Sequence, residues 1–333
     1  MSEPGAPSPA VPPSAATPPQ GPRSFGQVLD RVFQILRANK GLFLAIAAPP
    51  AILVFAFYVV LFAALWSIVG SGHPPNAAEI TSKAVVTGAA FFAFSVLIYL
   101  VFALYEPAAV YAALQANAGA KPKFGEAYGM ALGKAARFVW LAILRCLIVA
   151  GPILVFAAIV GTCVGLAFAK SQGNFSPDKM LSWLPLLMLL YFGSLIYAIV
   201  AFLWLALACP ACVAENVPAT AAIGRSFKLT RGAKGRIFLL LLVLYAIYYA
   251  TVIVVECVFA ALGSAGALVF MLLHVALKPW GLVAIGVGAF CLLVAIFVLV
   301  AYVWSSFMTT FAVVYHEQRM RREGAVAAEA PAS

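Results

Sequence analysis

The side chains able to do chemistry are few and scattered. The three histidines, His73, His274 and His316, lie far apart. His316-Glu317 opens like the zinc pattern H-E-x-x-H, but Met320 stands where the second histidine ligand belongs. No glycine-rich phosphate loop, dinucleotide fingerprint or G-x-S-x-G nucleophile turn is present. The six cysteines are Cys146, Cys163, Cys209, Cys212, Cys257 and Cys291. All fall in or at the ends of apolar runs, where a thiol behaves as a small apolar group. Cys209-Pro210-Ala211-Cys212 has the C-x-x-C spacing of redox and metal sites, without a second ligand pair or a strand–helix setting. These residues imply no catalytic set, no metal and no cofactor, so the expectation is a protein that is not an enzyme.

Two charges inside apolar runs are the candidate intramembrane polar residues, because a charge in lipid is costly and is kept for a purpose. Arg145 lies about two turns into its run and is expected to snorkel to the headgroups. Glu256 lies near the far end of its run and is expected to be protonated, to face a cavity or to reach water. The two fall at opposite depths, so a direct pair is not expected. Glu106 and Glu215 flank apolar runs and are expected to pair with basic loop segments.

The elements that must position these residues follow from composition. Of 333 residues, 65% are hydrophobic and 10% charged, against about 45–50% and about 25% in soluble domains. This excludes an ordinary soluble fold, a disordered chain and a nucleic-acid binder. Apolar runs cover 42–69, 84–105, 138–168, 181–208, 237–261 and 282–314. Each meets the roughly 20 residues a spanning helix needs, and none alternates as a barrel strand would. The fold class is therefore an all-α polytopic membrane protein with six transmembrane helices. Segment 263–281 is short and bounded by glycine and proline, which favours an interfacial or re-entrant helix over a further span. Eight of the 21 prolines fall within 1–22, so that segment is expected to be a disordered tail, as is 323–333.

The net charge of +10 is not spread evenly. Most of the 21 lysines and arginines lie before the first run, between runs two and three, between four and five, and after six. The other side holds Lys83, Lys170, Lys179 and Lys278. Basic loops stay in the cytoplasm, so both termini are expected there.

Segment 24–33, Ser-Phe-Gly-Gln-Val-Leu-Asp-Arg-Val-Phe, carries a capping box in Ser24 and Gln27 and an apolar stripe through Phe25, Val28, Leu29, Val32, Phe33 and Leu36. Such a helix either lies in the membrane interface or packs on the protein's own bundle. In the first case Arg31, Arg37 and Lys40, with Arg225, Lys228 and Arg231 of the third basic segment, are candidate contacts to lipid headgroups. Lys123-Phe124-Gly125-Glu126 and Gly224-Arg225-Ser226-Phe227 look alike in place and type, which suggests three repeats over roughly 23–120, 121–217 and 218–322. Gly125, Gly129 and Gly133 share one helix face and predict close packing, as do Gly161 and Gly165. Pro49-Pro50 and Pro152 break spans one and three, which hints at an internal cavity.

Segments 24–33, 37–41 and 222–232 resemble the six-span membrane domain found with glycerophosphoryl diester phosphodiesterases and in stand-alone bacterial membrane proteins. The resemblance implies a helical domain of the bacterial inner membrane over 23–322 without phosphodiesterase chemistry. The functional expectation is a scaffold or accessory protein of envelope or lipid processes. Its cytoplasmic helices would contact anionic lipid or a protein partner. The alternative is a small transporter or lipid translocator with a cavity between repeats.

Overall fold

Lipid offers no partner to an unpaired backbone N–H or carbonyl, so a chain of this composition satisfies its backbone within helices. A computed structural model describes residues 24–69, 77–170, 177–273 and 279–329, and among them it contains ten helices and no strand. They are α1 (Phe25–Ala38), α2 (Lys40–Val69), α3 (Ala77–Asn117), α4 (Phe124–Gly133), α5 (Ala135–Lys170), α6 (Pro177–Leu205), α7 (Ala208–Glu215), α8 (Ala219–Thr230), α9 (Lys234–Leu273) and α10 (Pro279–Glu329). Six stretches are long and apolar enough to cross a membrane: Lys40–Leu61, Val85–Asn117, Ala135–Thr162, Leu187–Glu215, Lys234–Val258 and Val294–Arg322. The expected tail at 1–22 lies outside the described residues.

Local chemistry sets the breaks between helices. The Ser24 backbone N–H donates to Gln27 Oε1 at 2.8 Å and the Gln27 N–H donates to Ser24 Oγ at 3.4 Å, closing the capping box that starts α1. Gly119 (φ 85°) and Gly232 (φ 86°) turn the chain after α3 and α8 in the left-handed region that favours glycine. Pro210 has no N–H for the Ala206 carbonyl, and the chain breaks between α6 and α7 at that point. Asn216 ends α7 at φ 54°, and Lys134 and Arg137 donate to its Oδ1 at 2.7 and 2.8 Å.

The buried core gathers at the end where the short helices sit. Val28, Val32, Ile35 and Leu36 of α1 pack with Phe43 and Ile46 of α2, Tyr105 and 108–113 of α3, and 311–315 of α10. Along α10, Ser305, Ser306, Thr309 and Thr310 are buried, and each hydroxyl donates to a carbonyl one turn back on its own helix. Ser305 also reaches across to the Phe43 carbonyl of α2 and the Tyr105 hydroxyl of α3, each at 3.4 Å, and these small side chains let both helices approach closely. Away from this end, large apolar side chains such as Ile52 (67%), Phe92 (70%) and Leu189 (71%) face outward, as lipid-facing surface does.

The two proline breaks are closed by tyrosines. Pro50 cannot donate to the Ile46 carbonyl, and the Tyr128 hydroxyl of α4 donates to it at 2.7 Å. Pro152 cannot donate to the Ile148 carbonyl, and the Tyr197 hydroxyl of α6 does so at 2.8 Å. The Ile46 and Ile148 carbonyls are thus met by neighbouring helices.

The structure bears on four of the expectations. The α1 stripe is a bundle contact, since Val28, Val32 and Leu36 have no exposed surface. Residues 263–273 continue α9 unbroken. Glycine costs only about 1 kcal/mol relative to alanine in a helix, less than orphaned backbone groups cost in lipid; 274–278 lie outside the described residues. Residues 323–329, expected to be disordered, extend α10 through alanines that favour helix, with 330–333 outside the described residues. A Cβ at Gly125, Gly129, Gly133, Gly161 or Gly165 would meet nothing within 4 Å, so these glycines do not mark close packing among the described residues. In α4 it is Ala127 and Ala131 that face the core.

Candidate functional site

Arg145 of α5 and Glu106 of α3 meet inside the bundle. Arg145 Nη1 donates to Glu106 Oε1 in an ion pair whose side chains are only 16% and 18% exposed. Both residues are reckoned from the same end of the bundle, where α3 finishes and α5 starts. At a rise of ~1.5 Å per residue, each lies about 15 Å along its helix from that end. Two helices therefore bring opposite charges to one depth, where low polarity strengthens their attraction and either charge alone would be costly.

The expected partners differ on both counts. Arg145 does not reach outward to headgroups, because a fixed carboxylate is nearer than the interface. Glu106 does not pair with a basic loop, because the helix does not stop where the apolar run stops. The alanine-rich stretch 107–117 carries α3 on to Asn117 and places Glu106 well inside it. Counting 107–117 as helix would have set Glu106 and Arg145 level from the sequence alone.

The pair forms part of the wall of a cavity of about 960 Å³ bounded by α3, α5, α6, α9 and α10. The rest of the wall is mostly apolar and aromatic, with Phe102, Tyr105, Tyr248 and Trp304 among the lining residues. The Phe102 and Trp304 rings meet edge to face at 4.4 Å. The Tyr99 hydroxyl, two turns before Glu106 on α3, is buried without a hydrogen bond among the described residues and lies beside the Cys146 thiol. Cys146 itself is exposed and lines the cavity. Ile199 and Phe202 of α6 and Phe238, Leu242 and Tyr245 of α9 line it too and are exposed, so the cavity is open and its wall continues onto the outer surface of the bundle. A second, wholly apolar space of about 510 Å³ lies between α2 and α10 beside Ala48, Ile52 and Phe297.

The other candidate residues fall elsewhere. Glu256 is exposed on the far part of α9 and does not line the cavity. Arg31 is committed to the bundle: its Nε and Nη2 donate to Asn117 Oδ1 and the Asn117 carbonyl at 3.2 and 3.1 Å, capping the end of α3. Arg225 Nε donates to Glu215 Oε1 at 2.9 Å, the basic-segment pairing expected for Glu215. Arg37, Lys40, Lys228 and Arg231 are exposed, and the Arg231 carbonyl accepts from Arg322 at 2.6 Å. Cys209 is buried next to the Arg145–Glu106 pair, and Cys212 is buried with its thiol donating to the Val217 carbonyl at 3.3 Å. No group of three or more histidine, cysteine or acidic side chains able to hold a metal occurs among the described residues.

Chemically, the site offers hydrogen-bond donors at the edge of an apolar space. A guanidinium has five N–H donors, and Nη1 is its bonded atom among the described residues. Among the described residues, no histidine, serine or threonine lines the cavity. No protein-family model, curated protein or solved structure matches the chain, and nothing identifies the family that 24–33 and 222–232 resemble.

Proposed function

We propose that this protein is a multi-pass carrier or translocator of an amphipathic molecule, set in the bacterial inner membrane with its basic end and both termini in the cytoplasm. The observation that carries this is the open cavity of about 960 Å³ with an ion pair on an otherwise apolar wall. Pockets that hold small molecules are largely apolar with a few placed polar groups. A charged pair kept inside spanning helices is costly unless it serves a guest or a pathway. The order of one short helix and two long ones recurs as α1–α2–α3, α4–α5–α6 and α8–α9–α10, which supports a threefold repeat with the cavity among its units. The absence of any catalytic set from the sequence is in keeping with transport rather than turnover.

The test is transbilayer movement of fluorescent single-chain and two-chain amphiphiles in vesicles containing the purified protein. Movement faster than in protein-free vesicles is expected. Ala142→Trp and Ala198→Trp, which fill the cavity from α5 and α6, should slow it. Movement of every tested amphiphile at the protein-free rate would remove the proposal.

A second reading, the scaffold, is favoured by one observation. Arg37, Lys40, Lys228 and Arg231 are exposed at the basic end, a face suited to anionic headgroups or an acidic protein partner.

A further inference from the structure

The polar groups of the cavity are unequal in kind, and the inequality names a guest. The donors are the N–H groups of Arg145 that Glu106 does not take and the Tyr99 hydroxyl, which lies buried beside the Cys146 thiol. The acceptor is the Glu106 carboxylate, whose Oε1 is taken by Arg145 and which also meets the buried Cys209 thiol. Donors outnumber acceptors, so a guest whose polar group accepts hydrogen bonds is matched here better than one that only donates. Arg145 and Glu106 together are neutral, so the site offers hydrogen-bond donors rather than net positive charge, which costs a singly charged phosphodiester less than a doubly charged phosphate.

The apolar part of the wall is much larger than the polar part. Phe102, Phe202, Trp304 and Phe307 line the space with rings and offer no charge. The volume of about 960 Å³ lies at the upper end of the about 300–1,000 Å³ seen for ligand pockets. The exposed lining residues of α6 and α9 place the mouth on surface that faces lipid when the helices span. A water-soluble phosphate would have to cross that apolar surface, and a membrane lipid already lies against it.

Resting on the carrier reading above, we infer that the guest is a phospholipid. Its phosphodiester accepts from Arg145 and Tyr99, and its chains lie along the aromatic wall. Glu106 is a positioning residue that holds the guanidinium at the cavity wall.

The test uses the full chain in detergent with Cys146 as its sole cysteine, and times maleimide modification of that thiol. Added ligands are phosphatidylglycerol, phosphatidylcholine, a diacylglycerol with the same chains, and inorganic phosphate. Charge-assisted hydrogen bonds to the phosphodiester predict that both phospholipids protect Cys146 about tenfold better than diacylglycerol. Inorganic phosphate should give no protection. An Arg145→Gln/Glu106→Gln double variant should bring phospholipid down to the diacylglycerol level. Equal protection by diacylglycerol and phospholipid overturns the phosphodiester assignment and leaves the amphiphile carrier standing. No protection by any lipid overturns both, and protection by inorganic phosphate alone overturns the lipid. If the single-cysteine chain does not fold, lipids retained by the wild-type protein are counted by native mass spectrometry with the same expected order.

Discussion

The bond from Tyr197 to Ile148 gives a direct measure of how this bundle accommodates proline in lipid. Pro152 has no N–H for the Ile148 carbonyl, and the Tyr197 hydroxyl supplies the missing donor at 2.8 Å. Tyr197→Phe removes the donor and keeps the ring. An orphaned buried acceptor costs about 1–3 kcal/mol in proteins generally. Hydrogen bonds between membrane helices average about 0.6 kcal/mol and reach about 1.7, because the unfolded chain in lipid also finds partners. The Ile148 carbonyl has no alternative donor one turn along its own helix, so a cost near the upper membrane value, about 1–2 kcal/mol, is expected. Pro152→Ala restores that N–H. In the Pro152→Ala background, Tyr197→Phe should cost almost nothing, so the double-mutant cycle should return a coupling of about 1 kcal/mol or more. Reversible unfolding in mixed micelles, followed by helical circular dichroism, reads all four corners. Equal costs for Tyr197→Phe in both backgrounds, within the about 0.3–0.5 kcal/mol expected of independent sites, would refute the reasoning.

Other perturbations test other parts of the account. Glu106→Leu strands the Arg145 guanidinium and should destabilise the bundle by about 3–5 kcal/mol; the Glu106→Leu/Arg145→Leu double variant should cost less than that single change in the same unfolding assay. Gly129→Ala on α4 adds a methyl that meets nothing within 4 Å. It should be neutral or raise stability by up to about 1 kcal/mol, seen as an unchanged or higher melting temperature. Burial pushes the Tyr128 phenol from 10.0 to about 12. Burial of the neutral phenol is therefore tolerated fully below pH 10 and stability is lost as pH rises toward 12, because the unfolded chain gives up the proton first. Tyr128→Phe should flatten the pH dependence of unfolding in that window.

Much of the fold is legible in the sequence because lipid permits so few solutions. Apolar run length predicts six spans, and 24–33 carries its own start signal in Ser24 and Gln27. Helix ends are less legible where protein, not lipid, surrounds the helix. α3 runs on through Pro107 and its alanines because that stretch is buried among α4, α7 and α10, and hydropathy reports only the lipid-facing part. The same effect hides the partner of Arg145. The apolar face of α1 is legible as a stripe, but whether lipid or protein covers it depends on α10, more than 250 residues away. Glycine spacing misleads at Gly125, Gly129 and Gly133 because periodicity fixes a face and not what lies opposite it.

The seat of α1 bears on how the chain is made. This helix leaves the ribosome well before α10, yet Val28, Val32 and Leu36 reach full burial only where α1 rests against α10. Until α10 is inserted, the stripe has lost its chief cover, and an amphipathic helix beside a bilayer settles in the interface. One pattern of residues thus serves two successive hosts: lipid until α10 is made, then protein once that span arrives. Insertion of that span becomes the step that locks the assembly, and a chain truncated before α10 would leave the factors that survey nascent membrane proteins an exposed apolar helix to detect.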